Sequence, residues 1–427
     1  MAGAALDLWL YDVLVAHVVE RRTGKFQLRY TEAALDRWPL GRPLLSVSMP
    51  LTPSTHPPGV VGPFLEGLLP EGEARVVLEE EYDVRRGDVV GLLAEIGRDC
   101  AGAVVAVPAG QLPPGRTETI DPLHEDELAR LVGALPERPL GDDAQVRISL
   151  AGQQGKLVLT RTPDGAWARP LGGTPSTHIL KPADQRYPGA AANEVLCLRL
   201  ARELGLTDVD SQLLEIDGIP VVVVERYDRQ IRASGVERLH QEDTCQALAV
   251  NVGPRGAGKY EAGGGPSFAA VARLLDVHNG DPDQTGTLAE VATFTVAIGN
   301  ADAHGKNLSL LLPANDRLRL APLYDLMSTV QYPEVAGPRG SVGVSTELAM
   351  FVNDTRDIDA VDVGRLEAEV TRWHFADDGD ERIHGLLDRF DQALDDAAVG
   401  VVDVPDRLVE QLRGRAARLR RGATAGE

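Results

Sequence analysis

The chain has 427 residues, of which 43% are hydrophobic and 25% are charged, an ordinary composition for a globular protein that folds in water. Its net charge of −21 makes it a poor sole binder of nucleic acid, because that affinity comes from neutralising phosphates. Three scattered cysteines argue against a zinc site or a disulfide framework and suit the cytoplasm, and no apolar run is long enough to span a membrane. At this length we expect two or three subdomains.

Residues 1–108 predict an α+β subdomain with strands at both ends and helices between them. Apolar residues alternate where strands are expected and recur with a helical period elsewhere. The predicted elements are strands over 6–10, 13–19, 26–30 and 102–108 and helices over 64–69, 71–81 and 87–97. Since this subdomain has no obvious chemistry, we interpret it as a scaffold.

Residues 109–144 are interpreted as a linker with one short helix. The stretch over 108–122 is rich in Pro and Gly and has no hydrophobic period, which predicts a linker or a surface loop. Residues 125–135 return to a helical pattern, which predicts the short helix.

Residues 145–161 predict a strand, a loop and a second strand, at the start of a unit that we place over 145–235. The loop over 149–156 is rich in small residues, which let backbone N–H groups approach phosphate oxygens without a Cβ clash. Protein kinases place a glycine-rich loop here, but the G-x-G-x-x-G spacing is missing. A phosphate cradle and a simple hairpin turn therefore both fit the residues.

Lys181 ends a short strand, which is the place of the lysine that binds ATP phosphates in protein kinases. The helix predicted over 190–204 carries Glu194 in its first turns, and we hypothesise a Lys181–Glu194 ion pair. An ordinary surface lysine at the end of a strand is the alternative. A hairpin with an Asp-Gly turn follows over 212–224. It leads to residues 225–227, which by position form the hinge where backbone groups would meet adenine.

The stretch over 299–325 carries the strongest chemical pattern in the chain. Asp302 and Asn307 stand five residues apart, the spacing at which a kinase catalytic loop places its general base and a Mg²⁺ ligand. An apolar run, a turn and alternating leucines then predict a hairpin that returns the chain to Asp325, a second carboxylate suited to bridge metal and phosphates. The alternative is a solvated turn before a strand, since the spacing alone also arises by chance.

Two further patterns lie in residues 236–427, which we interpret as a helical lobe. Residues 253–260 imitate a phosphate-binding G-x-x-x-x-G-K loop, but Tyr260 replaces the Ser or Thr that would bind Mg²⁺, so we expect a surface loop instead. The helix predicted over 404–421 has a basic face. Such a face is usually solvated, and contact with an acidic partner or with DNA is the alternative.

These patterns together resemble HipA-type serine/threonine kinases, the toxin halves of toxin–antitoxin pairs. The resemblance covers nearly the whole chain in the family's order and rests on motifs over 94–104, 147–156, 178–181, 225–228, 241–246, 300–309 and 322–325. It implies an α+β fold of the bilobal, protein-kinase-like (HipA-like) type. The implied fold has a mixed N-lobe, an extra N-terminal subdomain and an all-helical C-lobe.

The resemblance also implies a function. It implies an ATP- and Mg²⁺-dependent protein kinase in the cytoplasm that phosphorylates itself at Ser149 and acts on a translation component, such as an aminoacyl-tRNA synthetase. It further implies neutralisation by a small HipB-like helix-turn-helix antitoxin, through which alone the chain would meet DNA. Two alternatives stay open from the residues: an antitoxin-bound corepressor subunit with a silent site, and a small-molecule kinase on the same fold.

The expected site has one general base, Asp302, and two Mg²⁺ ligands, Asn307 and Asp325. Lys181 and the loop over 151–156 are expected to hold the phosphates. The residues that the resemblance places around ATP are Ala151, Gly152, Gln153, Gln154, Gly155, Lys156, Lys181, Glu225, Arg226, Tyr227, His304, Lys306, Asn307 and Tyr324.

Overall fold

The structure is a computed structural model, and it describes residues 5–22, 25–113, 119–135, 148–149, 155–184, 186–232, 235–253, 256–279, 281–313, 317–332, 334–337, 340–374, 378–405 and 407–421. The predicted ATP-loop residues over 151–154 lie outside the described residues. No helix within the described ranges is both long and apolar enough to cross a lipid bilayer.

The N-terminal region folds around a four-stranded antiparallel sheet of order β3-β2-β1-β5. Its strands are β1 (Leu6–Leu10), β2 (Val13–Arg22), β3 (Lys25–Tyr30), β4 (Asp99–Cys100) and β5 (Val105–Pro108), and its helices are α1 (Glu32–Arg37), α2 (Pro58–Gly67), α3 (Gly72–Glu81) and α4 (Val89–Ile96). Alternation along β1 and β3 buries residues such as Leu8 and Leu28 against α2 and α4. The predicted strands and helices of this region are confirmed. Helix α1, which Thr31 caps through its hydroxyl, is an addition.

A six-stranded sheet of order β11-β12-β10-β8-β9-β6 follows. The strands of this part of the chain are β6 (Thr119–Pro122), β7 (Ile148–Ser149), β8 (Leu157–Arg161), β9 (Trp167–Leu171), β10 (His178–Pro182), β11 (Ser211–Ile216) and β12 (Ile219–Glu225), and its helices are α5 (Glu125–Ala134) and α6 (Ala190–Glu203). Val221 and Val223 belong to the core beneath α5, whereas Val222 and Val224 belong to the core beneath α6. The sheet therefore lies between the two helices, because successive side chains of a strand face opposite sides.

Two interpretations of this part of the chain do not hold. The stretch over 108–122, expected to be a linker or surface loop, ends in β6, which pairs with β9 at the edge of the sheet. The backbone of β6 supplies this pairing while its side chains are mostly exposed, so no hydrophobic alternation marks it. The hairpin alternative for 145–161 is not realised either, since β7 pairs in parallel with β4 and β8 already lies between β9 and β10.

The C-terminal region is built around α9, which is buried along nearly its whole length and is surrounded by α8, α10, α11 and α12. The helices are α7 (Thr244–Ala247), α8 (Phe268–His278), α9 (Pro282–Ile298), α10 (Val363–Trp373), α11 (Gly379–Ala398) and α12 (Leu408–Arg421). The strands are β13 (Arg229–Arg232), β14 (Gly235–Arg238), β15 (Gln241–Asp243), β16 (Ser309–Leu311), β17 (Arg319–Leu320), β18 (Glu334–Gly337), β19 (Gly340–Gly343), β20 (Glu347–Val352) and β21 (Thr355–Asp357).

The expectation of an all-helical C-lobe over 236–427 is wrong, because this region contains β15 to β21. Three of these strands, β15, β16 and β17, form a small sheet beside the loop over 299–307. The strand that the sequence analysis missed here, β15, has only three residues, too few to show an alternating pattern. The hairpin predicted between Asn307 and Asp325 is confirmed as β16 and β17.

The basic face of α12 meets acidic side chains of the same chain. Apolar residues of this helix, including Leu412, pack against α9 and α11. Its ion pairs join Arg413 to Asp395 at 2.5 Å, Arg415 to Asp359 at 2.5 Å and Arg420 to Asp391 at 2.8 Å. These three arginines are paired with carboxylates of the same chain. They therefore match neither alternative from the sequence, a wholly solvated face or a face free to bind an acidic partner or DNA.

A buried carboxyl joins the N-terminal region to β15. Glu242 Oε1 accepts a hydrogen bond of 2.7 Å from the backbone N–H of Val47, and the side chain is fully buried. Nearby, Gln246 Nε2 donates to the carbonyl of Phe64 at 2.9 Å. Burial raises the pKa of Glu242 to about 8, so this carboxyl is largely protonated in the folded protein at neutral pH.

We predict that Glu242 makes the stability of the folded chain depend on pH. An ordinary Glu in an unfolded chain titrates at about 4.3, so between that pH and about 8 only the folded state keeps this proton. The free energy of unfolding therefore falls as the pH rises through this window. Glu242→Gln should remove this loss, because its neutral amide keeps an oxygen acceptor for Val47.

Guanidinium unfolding of the wild type and of Glu242→Gln at about pH 5 and about pH 8 checks this prediction. Between the lower and the higher pH, the free energy of unfolding of the variant should rise relative to that of the wild type by on the order of 1–3 kcal/mol. Equal pH dependence of the two proteins would contradict it.

Candidate active site

Lys181 is the central cation of the candidate site. It lies on β10, between β8 and β12, and its Nζ is 2.8 Å from Glu194 Oε1 and 2.6 Å from Asp325 Oδ1. The predicted Lys181–Glu194 ion pair is thereby confirmed. Burial alone would lower the pKa of Lys181, but the charges of Asp325 and Glu194 outweigh it and hold the pKa above its usual value.

Asp325 and Asn307 form the second part of the site. Asn307 Nδ2 donates to Asp325 Oδ2 at 2.9 Å, so the Asp325 carboxylate lies between an amide and an ammonium. The ammonium of Lys181 holds the pKa of Asp325 well below its usual range, and the carboxylate is ionised. Asp325 has a φ of 57°, in the left-handed region that Asp tolerates better than most residues.

The Asn307–Asp325 pair fits a magnesium ion. Asn307 Oδ1 is buried and accepts no hydrogen bond within the described part of the chain. Amide and carboxylate oxygens are the ligands that Mg²⁺ prefers. Within the described ranges no group of three His, Cys, Asp or Glu side chains could hold a metal ion. Two protein ligands match the way in which Mg²⁺ usually binds, with substrate phosphates and water as its other ligands.

Asp302 is held at the end of α9. The helix ends at Gly299, whose φ of 69° is left-handed, and Asn300 Oδ1 accepts from the backbone N–H of Asp302 at 3.2 Å. Asp302 is exposed, and its Oδ1 accepts a 2.8 Å hydrogen bond from the hydroxyl of Tyr260. Partial burial raises the pKa of Asp302, the Tyr260 hydrogen bond lowers it, and the charge of Asp325 raises it. The structure thus joins Asn307 and Asp325 directly, whereas Asp325 acts on Asp302 through its charge.

Lys306 anchors the loop over 299–307 on its buried side. Its Nζ is 2.7 Å from Asp243 Oδ2 and 3.5 Å from Glu71 Oε1, and the side chain is buried. Burial would lower the pKa of Lys306, but Asp243 and Glu71 outweigh it and raise the pKa. The contact of Lys306 with ATP stays a prediction, and in this structure its ammonium is bound to two carboxylates.

His304 and two tyrosines line the same loop. His304 is buried, its ring meets that of Tyr260 edge-on at 5.4 Å, and burial lowers its pKa to about 3. Tyr324 donates its hydroxyl to the carbonyl of Lys306 at 2.7 Å, and its ring stacks on Tyr227 at 5.6 Å. The stacked pair connects the predicted hinge with the strand-to-loop segment before Asp325.

The side chain of Arg226, in the predicted hinge, is part of a buried ion-pair network. Its guanidinium donates to Asp228 Oδ1 at 2.9 Å. The carboxylate of Asp99, from the N-terminal region, lies 3.5 Å from Arg226, 2.8 Å from Arg229 and 3.4 Å from Arg238. Its backbone N–H donates to the carbonyl of Thr177 at 2.9 Å, and its carbonyl accepts from the N–H of Arg229 at 3.2 Å, so contact of residue 226 with ATP stays a prediction. Glu225 is half-buried, and burial raises its pKa.

The predicted ATP loop is described only at its ends. Ser149 pairs through its backbone with Cys100 in the β7–β4 ladder. Lys156 is buried, and burial together with the charge of Lys181 lowers its pKa to about 8. Gly155 is also described, whereas the contacts of the loop with ATP stay predictions.

Four residues of the site escaped the sequence analysis. Tyr260 and Lys259 lie in the segment interpreted as a surface loop, which holds for exposed residues such as Ala257 but not for Lys259, which is buried. Asp243 begins a capping box with Gln246, a D-x-x-Q signal that could have marked it as structural. Glu71, from the supposed scaffold, has no sequence signal that points to a loop so far along the chain.

Comparisons with known proteins match almost the whole chain. A model of the HipA N-terminal domain matches residues 6–107, and a model of the HipA-like C-terminal domain matches residues 148–402. A Sinorhizobium fredii protein named as a candidate kinase, Y4mE, is 38% identical over 79% of this chain and 80% of its own.

The serine/threonine-protein kinase toxin HipA of Shewanella oneidensis is 29% identical over 85% of this chain and 82% of its own. The solved complex of Shewanella oneidensis HipA and HipB with operator DNA contains a chain that matches with a TM-score of 0.80. That match has 26% identity and covers 97% of each chain, so the two folds correspond over nearly their full length.

We predict that Asp99→Asn strongly destabilises the protein. The substitution leaves the buried guanidinium groups of Arg226 and Arg229 with the charge of Asp228 alone, and such a loss typically costs about 3–5 kcal/mol. Denaturant unfolding measures the effect. Glu237→Gln is the matched control, because its ion pair with Arg232 is exposed and should contribute less than about 1 kcal/mol. Equal stabilities of the two variants would contradict the prediction.

Proposed function

Since this chain belongs to the HipA family, we propose that it is an ATP- and Mg²⁺-dependent serine/threonine protein kinase that acts as the toxin of a toxin–antitoxin pair. One observation carries the proposal. Lys181 and Asn307 both bind the carboxylate of Asp325, and Asp302 lies within electrostatic reach of it. Phosphoryl transfer requires a base, a cation for the phosphates and metal ligands in one place, and these side chains supply them.

Asp302 is the general base in this proposal. It is exposed, so the hydroxyl of an acceptor protein can reach it, and its carboxylate accepts the proton that leaves the attacking oxygen. The turn after Gly299 fixes its backbone, which keeps the base oriented before the acceptor arrives.

Lys181 provides the positive charge for the phosphates of ATP, and Glu194 holds it in place from α6. Asn307 and Asp325 would hold Mg²⁺, which when bound neutralises charge on the phosphate oxygens. Lys156, whose pKa of about 8 leaves it mostly charged at neutral pH, adds a second cation at the end of the loop over 151–156. Tyr227 and Tyr324 offer an aromatic surface next to the hinge for adenine.

The partner of the proposed toxin is a HipB-like helix-turn-helix antitoxin. The Shewanella oneidensis relative was solved with HipB and operator DNA, which supports a partner of this kind. The net charge of −21 supports contact with DNA only through that partner. The proposed substrate is a translation component, such as an aminoacyl-tRNA synthetase, as the family resemblance implies.

We predict that Asp302→Asn abolishes phosphoryl transfer but keeps ATP binding. Loss of a general base lowers the rate by about 10²–10⁴-fold, whereas Lys181, Asn307 and Asp325 are untouched. The measurement is transfer of label from γ-labelled ATP with Mg²⁺, with Asp276→Asn on the exposed end of α8 as control. Label on protein supports the proposal, and label on an added metabolite points to a small-molecule kinase. No transfer by the wild type favours a corepressor with a silent site.

We predict that the protein phosphorylates itself at Ser149 and thereby loses activity. A phosphoserine adds roughly −1.5 to −2 charges at neutral pH, and these would repel ATP from the adjoining loop over 151–156. Ser149→Ala should lose most of the self-label detected by mass spectrometry, whereas Ser54→Ala, at an exposed serine of the N-terminal region, should keep it. A Ser149-phosphorylated protein with full ATP affinity would refute the inactivation.

A further inference from the structure

The segment over 256–265 brings Tyr260 against the proposed base. Short 3-10 turns over Ala257–Lys259 and Glu261–Gly263 lie on either side of Tyr260. The Tyr260 hydroxyl donates to Asp302 Oδ1 at 2.8 Å, and the Tyr260 ring meets His304 edge-on at 5.4 Å. The phenol thus contacts two residues of the loop over 299–307 at once.

The segment that carries Tyr260 is itself anchored on three sides. Lys259 Nζ lies 3.7 Å from Glu71 Oε2 of the N-terminal region. The carbonyl of Lys259 accepts from the backbone N–H of Gly305 at 3.0 Å. Glu261 Oε2 accepts from the backbone N–H of Phe351 at 2.6 Å. These contacts fix the backbone on both sides of Tyr260, so its hydroxyl is held at a defined position.

The hydrogen bond has a direct consequence for the carboxylate of Asp302. Rotation about the bond that carries an Asp carboxylate is soft, so an unrestrained carboxylate samples a broad range of orientations. A charge-assisted hydrogen bond to Oδ1 restricts that rotation and directs Oδ2 toward another donor. Burial raises the pKa of Tyr260 above its usual value, which keeps the phenol protonated and able to donate.

We propose that Tyr260 is a positioning residue for Asp302, and that its hydroxyl fixes one carboxylate oxygen so that the other accepts the proton of the acceptor hydroxyl. This inference rests on the proposed kinase function and adds to it a residue outside the D-x-x-x-x-N loop. Because the neighbouring Lys259 pairs with Glu71, Tyr260 also connects the orientation of the base to the N-terminal region.

Partial burial and three neighbouring groups set the charge state of Asp302. Burial raises its pKa, the Tyr260 hydroxyl and Lys259 lower it, and Asp325 raises it, while His304 beside it is neutral. Removing the Tyr260 hydroxyl deletes a donor that favours the ionised carboxylate, so the pKa of Asp302 should rise. As the pH is lowered, activity that needs ionised Asp302 should then be lost at a higher pH in the variant than in the wild type.

The first test compares Tyr260→Phe with Tyr30→Phe in full-length protein. Tyr30 donates its buried hydroxyl to the carbonyl of Met49 in the N-terminal core, so this control removes a tyrosine hydrogen bond without touching Asp302. Transfer from γ-labelled ATP with Mg²⁺ is measured across pH, together with ATP affinity and thermal stability. Tyr260→Phe should lower kcat by about tenfold to a hundredfold, move the acidic limb upward and leave ATP affinity unchanged. Tyr30→Phe should change stability alone.

The second test needs no activity. The Asp302 carboxyl is titrated by carbon-13 NMR in wild type and Tyr260→Phe, and its signal is assigned by its disappearance in Asp302→Asn. A higher pKa in Tyr260→Phe supports the proposal. An unchanged pKa, or a transfer rate equal to or above that of the wild type, overturns it. If the wild type transfers no phosphate, the kinase function fails, and the titration still decides whether Tyr260 controls Asp302.

Discussion

The carboxylate of Asp325, held between an ammonium and an amide, is the contact on which the site depends. Lys181 reaches it from β10 and Asn307 from the loop after α9, while Glu194 on α6 fixes the lysine from behind. A buried ammonium requires charged partners, and displacement of β10 would leave the carboxylates of Glu194 and Asp325 without theirs. The sheet, the helix and the loop therefore fix one another, and the groups are oriented before a substrate arrives.

The N-terminal region takes part in this arrangement through acidic side chains rather than through its sheet. Asp99 completes the arginine network behind the predicted hinge, and Glu71 contacts Lys306 and Lys259 at the base of the loop over 299–307. Contact also runs the other way, because Glu242 on β15 accepts a hydrogen bond from the backbone N–H of Val47 in the N-terminal region. A purely apolar junction would allow the two parts to slide, whereas these contacts are directional and set a single relative placement.

The sequence supports the regular elements and the local part of the site, for physical reasons that particular residues illustrate. Strand alternation and the spacing of Asp302 and Asn307 each span only a few residues, so both can be recognised in the sequence alone. Short strands such as β15 and β18, with three and four residues, show no period, which is why the expectation of an all-helical lobe is wrong. Glu71 and Tyr260 reach the site through tertiary contacts, for which spacing along the chain gives no signal.

The ion pair between Glu71 and Lys306 joins positions more than half of the chain length apart. A ribosome that has released only the first half of this polypeptide has made Glu71 but none of the residues over 299–325. Contacts of such large sequence separation form late, because a long intervening loop must close before they can contribute. We therefore expect the residues over 299–325 to reach their final positions beside the N-terminal region only after most of the chain has been made.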